Sequence, residues 1–226
     1  MKENGTLAQL LLADIPPALV RQILEVLPTV YNNAYDQVFG DPQLGEPEAK
    51  YLLGHRRRAL FETQFRSIAI GCGLRFAMHT PANGGCEHVQ VICGRFRLIT
   101  CHVQSPGAFP QHSDCREQYA GVNEHINQVD WLAVRSEPGE EALFGVLTHA
   151  SDRYDPRTFR SAQIGFPNTA FETWVDKPTD LLDLRDMQIA AYQASDDPQG
   201  RNQDAQPTWK KRQDEEQGAE QPGEES

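Results

Sequence analysis

Residues His88–Val103 read HVQVICGRFRLITCHV, and this stretch decides the fold. Apolar and polar residues alternate with a period of two on both sides of Gly94-Arg95, which is typical of two strands folded back on each other. A two-residue turn at Gly94-Arg95 predicts the pairs Cys93 with Phe96, Val91 with Leu98, and Val89 with Thr100.

The two faces of this predicted hairpin differ in character. One is apolar enough to be the floor of a core, and it carries Val89, Val91, Cys93, Phe96 and Leu98. The other mixes polar and apolar side chains and has to be covered by another element; it carries His88, Gln90, Ile92, Arg97, Ile99 and Cys101. A slip of register by one residue would exchange the two sets.

Composition indicates one globular domain with additional polar chain. The 226 residues are 39% hydrophobic and 23% charged, which is enough for a sizeable core. The formal net charge is −11, of which Asp196–Ser226 carries −5. Broad affinity for nucleic acid is not expected of an acidic chain, because that affinity comes from basic groups that displace counterions. A protein partner is therefore favoured over nucleic acid, and a local basic patch stays open as an alternative.

The cysteines and the N-terminus indicate a cytoplasmic protein. The five cysteines are odd in number and include no CxxC pair, which favours a reducing, intracellular compartment. The apolar run Leu7–Ala13 is short and is closed by Asp14. It is too poor for a signal peptide and too short to span a bilayer, so no membrane association is expected.

Changes in composition divide the chain into three parts. Residues 1–45 are predicted to be helical, with Pro16-Pro17 opening a helix that Pro28 breaks or kinks. Residues 46–194 are predicted to form a mixed α/β domain, in which helices flank a largely antiparallel sheet. Residues 195–226 are poor in apolar residues and are predicted to be a disordered acidic tail, in which Trp209–Arg212 is the one island that could dock to a partner.

Several further elements are predicted within the α/β domain. Strands are expected at Leu74–Met78, Trp131–Arg135, Leu143–Thr148, Gln163–Phe166 and Phe171–Val175. Ser113 is a plausible N-cap for a helix that reaches about Asn127, with Cys115, Tyr119, Val122 and Ile126 facing inward. Residues 149–160 are expected to form a polar loop that includes His149, and Thr179 or Asp180 to cap a last helix.

Glu48–Cys72 is predicted to be the longest helix and to carry the densest positive charge of the domain. Its core face holds Leu53, Phe61, Phe65, Ile68 and Cys72. Glu62 is placed to pair with Arg58 one turn before it and with Arg66 one turn after it. The basic cluster is a candidate binding surface for a phosphate, a nucleic-acid backbone or an acidic protein face, and it consists of His55, Arg56, Arg57, Arg58 and Arg66. The alternative is a solvated helix face.

From Glu48 onward the predicted order is helix, strand, hairpin, helix, strand. This order resembles the core of the restriction-endonuclease-like proteins, the PD-(D/E)XK superfamily. The resemblance implies a metal-dependent nuclease that uses Mg²⁺, with Glu62, Glu87 and Gln104 as the catalytic candidates. The Asp and the Lys that this family carries on its hairpin are absent from these strands.

Thiols and imidazoles form a further candidate group. Cys86, His88, Cys101, His112 and Cys115 are of the types that Zn²⁺ takes in tetrahedral sites. In the predicted register His88 faces Cys101. Free cysteines also serve as small buried hydrophobes, so ordinary packing is the leading interpretation and no metal or other cofactor is predicted outside the nuclease alternative.

Taken from sequence alone, the leading interpretation is a soluble intracellular binding or regulatory protein that acts through a protein partner. An antitoxin-like or defence-associated role in a bacterial operon would suit its acidic charge and polar tail. The alternative is a divergent or degenerate nuclease of the PD-(D/E)XK type.

Overall fold

The computed structural model describes residues 5–79, 87–127 and 143–195. The helices are α1 (Gly5–Asp14), α2 (Pro17–Phe39), α3 (Glu46–Gly71), α4 (Asp114–Ala120) and α5 (Leu181–Ser195), with a 3-10 helix at Gly121–Asn127. The strands are β1 (Arg75–His79), β2 (His88–Cys93), β3 (Phe96–Val103), β4 (Leu143–Ser151), β5 (Phe159–Gly165) and β6 (Thr179–Asp180). The predicted strand Trp131–Arg135 and the predicted tail from residue 196 onward lie outside the described residues.

The described strands form one mixed sheet in the order β1-β2-β3-β4-β5-β6. Strands β3 and β4 run parallel, and the other neighbouring pairs are antiparallel, so the predicted α/β class and the largely antiparallel sheet are confirmed. Val91 pairs with Leu98 and Cys93 with Phe96, as the turn at Gly94-Arg95 predicts. Parallel strands need a long crossover, and Gln104–Ala142, which contains α4, provides it.

The larger hydrophobic core lies on the face of the hairpin that the sequence predicted. Val89, Val91, Cys93, Phe96 and Leu98 all belong to it. Helices α1, α2 and α3 cover this face with side chains such as Leu11, Ile23 and Phe61. Helices α1 and α2 thus share one core with α3 and the sheet, so the predicted boundary at residue 45 does not divide the core.

Helix α2 continues through Pro28, where a break or kink was predicted. A proline inside a helix costs about 3 kcal/mol, because it removes a hydrogen bond and crowds the preceding turn. Eight buried side chains offset this cost, and each contributes on the order of 1–3 kcal/mol when it is apolar. They lie on both sides of the proline: Leu19, Val20, Ile23, Leu27, Val30, Tyr31, Ala34 and Val38.

The opposite face of the sheet carries a second, smaller core. Ile99 and Cys101 pack there with Phe144, Val146, Ala120 and Phe171.

Ser113 caps α4 by accepting a hydrogen bond from the Arg116 amide, as predicted. Val122, predicted to face inward, is 45% exposed, whereas Asn123 is buried. The reason is the 3-10 geometry from Gly121 onward, which has three residues per turn and rotates the inward face.

Two other local predictions are wrong. Strand β4 extends to Ser151, so His149 lies in a strand and is 1% exposed, not in a polar loop. Residues 171–175 do not form a strand, and only a single bridge joins Pro167 to Trp174. The Asn168 side chain accepts hydrogen bonds from the amides of Glu172 and Thr173, which stabilises a turn in place of extended chain.

Among the described residues, none of the helices has the length and apolar character that crossing a bilayer requires.

Candidate functional site

Helix α3 directs three consecutive arginines into three different environments. Successive residues of an α-helix point about 100° apart, because a turn holds 3.6 residues. Arg56 is exposed, Arg57 is buried with 3% exposure, and Arg58 is half-buried. Of the predicted binding cluster, His55 and Arg66 are also exposed. The cluster is therefore not one solvated face, and Arg57 in particular is a core side chain.

The exposed part of this helix borders an open groove, which we call the α2–α3 groove. It has a volume of about 520 Å³ and lies between the end of α2 and the first half of α3, lined by Gln37, Val38, Asp41, Leu44, Leu52, His55, Arg56 and Ala59. The side chain of Arg56 is fixed there by a 2.5 Å hydrogen bond from its Nε to Gln37 Oε1. Tyr51 is 71% exposed, and its ring centroid lies 5.2 Å from that of His55.

Arg57 enters the larger core and meets groups from three other elements. Its guanidinium lies over the ring of Tyr31, 4.5 Å from the centroid. Its Nη1 donates to His102 Nε2 over 3.2 Å, and its Nη2 donates to the carbonyl oxygen of Pro156. Within the described part of the chain, no carboxylate forms an ion pair with Arg57. As far as the described residues go, the guanidinium is thus a buried cation without a charged partner.

The parallel register of β3 and β4 places His102 directly beside His149. Their ring centroids are 5.6 Å apart, and the hydroxyl of Tyr31 lies 2.8 Å from His149 Nδ1. Because guanidinium can only donate, His102 Nε2 must accept and its proton sits on Nδ1. Donation from Tyr31 to His149 Nδ1 leaves fewer buried groups unsatisfied than the reverse, so the His149 proton is assigned to Nε2.

Burial keeps the three ring side chains of this cluster uncharged at neutral pH. Desolvation, assisted by Arg57, lowers the pKa of His102 to about 4. Desolvation also lowers the pKa of His149 well below its ordinary value, with smaller effects of His102 and Arg57, and it raises the pKa of Tyr31. A general base for neutral pH needs a pKa near 7. The cluster is therefore better suited to donating hydrogen bonds from fixed positions than to transferring protons.

Arg58 belongs to a separate, partly buried ion cluster with Glu62 and His88. Arg58 Nε lies 3.1 Å from Glu62 Oε1, and His88 Nδ1 lies 3.3 Å from the same oxygen. Arg58 Nη2 also donates to the carbonyl oxygen of Glu87 over 2.9 Å. The predicted pair of Glu62 with Arg58 is confirmed. Among the described ion pairs, none joins Glu62 to Arg66, so that half of the prediction is not confirmed. Of the three nuclease candidates, Glu62 is already paired in this way, while Glu87 and Gln104 are exposed, just before β2 and just after β3.

The thiol and imidazole candidates are dispersed. The bonded register of β2 and β3 covers Val91–Cys93, so the predicted pairing of His88 with Cys101 stays a prediction. His88 Nδ1 contacts Glu62. The thiol of Cys101 instead donates to the carbonyl oxygen of His102 over 3.5 Å. His112 contacts Glu117, Cys115 is buried in α4, and Cys86 lies outside the described residues. Across residues 5–79, 87–127 and 143–195, no group of three or more His, Cys, Asp or Glu side chains is placed to hold a metal.

Sequence reasoning missed the association of Tyr31, His102 and His149. The only available signal was that two apolar strands, Phe96–Val103 and Leu143–Ser151, each carry a histidine near their end. That signal becomes informative only once the two strands are known to be parallel neighbours, which brings their ends to the same edge of the sheet.

Comparison of the chain with models of protein families, with curated proteins and with solved structures finds no match.

Proposed function

We propose that the protein is a binding protein that acts through a protein partner held in the α2–α3 groove. The observation that supports this is the exposure of Tyr51 (71%), whose ring contacts the groove residue His55, together with Leu52 (37%) and the positioned Arg56 in the groove lining. Tyrosine and arginine are the residue types that most often dominate protein–protein affinity, and they act best on a rigid element beside an apolar pocket. The first half of α3 has this composition.

The groove also limits the chemistry of the partner. Val38, Leu44 and Leu52 supply apolar lining, and Arg56 supplies a cation at its edge. Asp41 lies in the same groove and would repel a segment that is acidic throughout. The partner segment that fits carries an apolar side chain for the lining and a single carboxylate for Arg56. A regulatory role, of the antitoxin or defence-associated type, would follow from the identity of such a partner.

The test compares four versions of the protein as bait in an extract of the source organism. A partner should be captured by the wild type and lost with Arg56→Glu and with Tyr51→Ala. The matched control is Arg66→Glu, which makes the same charge change at an exposed position of the same helix. Calorimetry with the purified partner should show weaker binding at high salt, because screening reduces the contribution of Arg56.

Two results would count against this surface. Binding that survives both Arg56→Glu and Tyr51→Ala would place the interface elsewhere, and an equal loss with Arg66→Glu would indicate a non-specific charge effect.

The nuclease alternative stays a prediction, and a plasmid-nicking assay with Mg²⁺ on the wild type and Glu62→Gln would test it.

A further inference from the structure

A small pocket opens between α2, β5 and α5, and it shares no residue with the α2–α3 groove. It has a volume of about 310 Å³, and each of the three elements contributes an arginine to its lining: Arg21, Arg160 and Arg185. We call it the arginine pocket. Like charges repel each other, and three guanidinium groups around one small volume stand out in a chain whose net charge is −11. The lining therefore favours a negatively charged ligand.

The three arginines differ in how far their charge is already compensated. Arg21 Nε lies 3.8 Å from Glu25 Oε1. Arg185 donates to Asp186 Oδ1 from both Nε and Nη2, over 3.0 and 2.9 Å. Arg160 forms no ion pair with any carboxylate of the described residues. Within the described part of the chain, the pocket thus holds one uncompensated positive charge, on Arg160.

Arg160 reaches this position through an irregularity in the sheet. Ala150 of β4 pairs with Ser161 and Ser151 pairs with Phe159, so Arg160 is an extra residue that β4 does not match. A bulge of this kind bends the strand and redirects a side chain, and bulges are frequent next to functional sites. In a regular strand consecutive side chains point to opposite faces, whereas here Phe159, Arg160 and Ser161 all line one pocket.

The rest of the wall is largely apolar. Leu24 and Phe159 are partly buried and pack against the larger core. Leu182 is 46% exposed, and all three side chains line the pocket. Covering them with an apolar group would remove their surface from water, which is favourable. A small inorganic anion would leave this surface exposed, so the ligand that fits has an apolar part as well as a charge.

We propose that the arginine pocket binds a small organic carboxylate with an apolar body, such as a medium-chain fatty acid. One carboxylate matches the one uncompensated guanidinium, and its two oxygens can accept two parallel N–H groups from Arg160. A phosphate monoester carries close to two charges at neutral pH, and Glu25 in the same lining would repel the second. The volume lies at the lower end of small-molecule sites, which limits the ligand to a small one.

The experiment is titration calorimetry of the full-length protein with octanoate, at matched ionic strength throughout. Three comparison ligands separate the two parts of the recognition. Octanol has the apolar body without the charge, acetate has the charge without the body, and octyl phosphate replaces the carboxylate. We expect saturable binding of octanoate and weaker binding of each of the other three.

Two variants test the assigned side chains. Arg160→Gln removes the uncompensated charge and should weaken octanoate binding on the order of tenfold or more, since a hydrogen bond between charged groups is lost. Leu182→Asn replaces part of the apolar wall by an amide and should weaken binding severalfold. Both positions are exposed, so both proteins should fold. The matched control Arg66→Gln, the same change at an exposed position of α3, should bind octanoate as the wild type does.

A second measurement locates the ligand without any variant. In the ¹⁵N-labelled wild type, the backbone amide signals of Phe159–Ala162 and Leu182–Arg185 should shift on octanoate addition, while those of the α2–α3 groove stay in place. The proposal is wrong if octanoate gives neither saturable heat nor these shifts, or if octanol binds as tightly as octanoate. Tighter binding of octyl phosphate, or undiminished octanoate binding by Arg160→Gln, would also contradict it.

Discussion

Arg56, Arg57 and Arg58 are neighbours in the chain and were grouped as one basic surface from the sequence. The helix separates them: Arg56 borders a groove, Arg57 enters the core and Arg58 pairs with Glu62. Helical spacing alone could have predicted the separation, since Arg57 lies four residues after the buried Leu53 and four before the buried Phe61. A charged residue on the apolar stripe of a helix indicates a special environment more strongly than a high local density of charge does.

The buried histidines predict a loss of stability at mildly acidic pH. Their native pKa values are lowered, so the unfolded chain binds protons that the native protein does not. Stability is complete above the ordinary histidine pKa of 6.5 and should fall as the pH approaches about 4, where native His102 titrates. For His102 alone the loss over this range is on the order of 3 kcal/mol. Urea unfolding at a series of pH values measures it.

His102→Gln separates this effect from general acid denaturation. Glutamine can still accept the hydrogen bond from Arg57, but it does not titrate. The variant should therefore unfold with a shallower dependence on pH between 6.5 and 4. A slope identical to that of the wild type would mean that native His102 is not held neutral.

At the scale of elements, the hairpin is the part that could be predicted most fully. A period of two fixes which side chains share a face, and the turn at Gly94-Arg95 fixes the register, so Val91 and Leu98 face each other as expected. The contact of His88 with Glu62 of α3 was not predicted. Such a contact depends on how a helix packs, which the pattern of the strand does not contain.

The hairpin turn is also joined to the first helix. Asp14, the last residue of α1, accepts hydrogen bonds from the backbone amide and the guanidinium of Arg95 at 3.0 and 2.7 Å. Gly94 has φ of +51° and lies so close that an added Cβ would meet Asp14 Cγ at 2.7 Å. Gly94→Ala should therefore destabilise the protein by about 2 kcal/mol or more, through backbone strain and displacement of Asp14 together. Denaturant unfolding checks the value.

Gly73 provides the matched control for this change. It also has positive φ, +69°, but an added Cβ would meet no atom within 4 Å. Gly73→Ala should cost about 1 kcal/mol, the backbone term alone. If the two variants were equally stable, the contact between the turn and Asp14 would contribute nothing.

At the scale of the whole molecule, the sequence could not predict which strands are neighbours across the crossover. The contact between His102 and His149 joins residues 47 positions apart and exists only because β3 and β4 run in parallel. Each strand was predicted separately, from its own apolar residues. Their pairing is decided by how the chain between them packs, and part of that chain, residues 128–142, lies outside the described residues.

The shared core makes a prediction about the N-terminal helices. A chain that begins at Glu46 would lose α1 and α2 and uncover Phe61, Phe65 and Leu98, which are fully buried in the intact protein. We expect this shortened chain not to fold cooperatively, since it loses about half of the helical cover of its sheet. Thermal unfolding followed by circular dichroism should show no sharp transition.

Addition of a separate peptide that spans residues 5–45 provides the complementary measurement. Recovery of a sharp transition in the mixture would show that the two parts assemble into one core. A cooperative transition of the shortened chain by itself would restore residue 45 as a domain boundary.

The parallel pairing of β3 with β4 has a kinetic consequence. Antiparallel neighbours such as β2 and β3 meet through a short turn, whereas Phe96 and its partner Leu143 are 47 positions apart in the chain. The entropy of closing a loop grows with its length, so local hairpins should form early and this ladder late. His102 and His149 lie near the far end of that ladder. Their neighbourhood should therefore be completed among the last steps of folding, and a protein molecule still emerging from the ribosome would lack it.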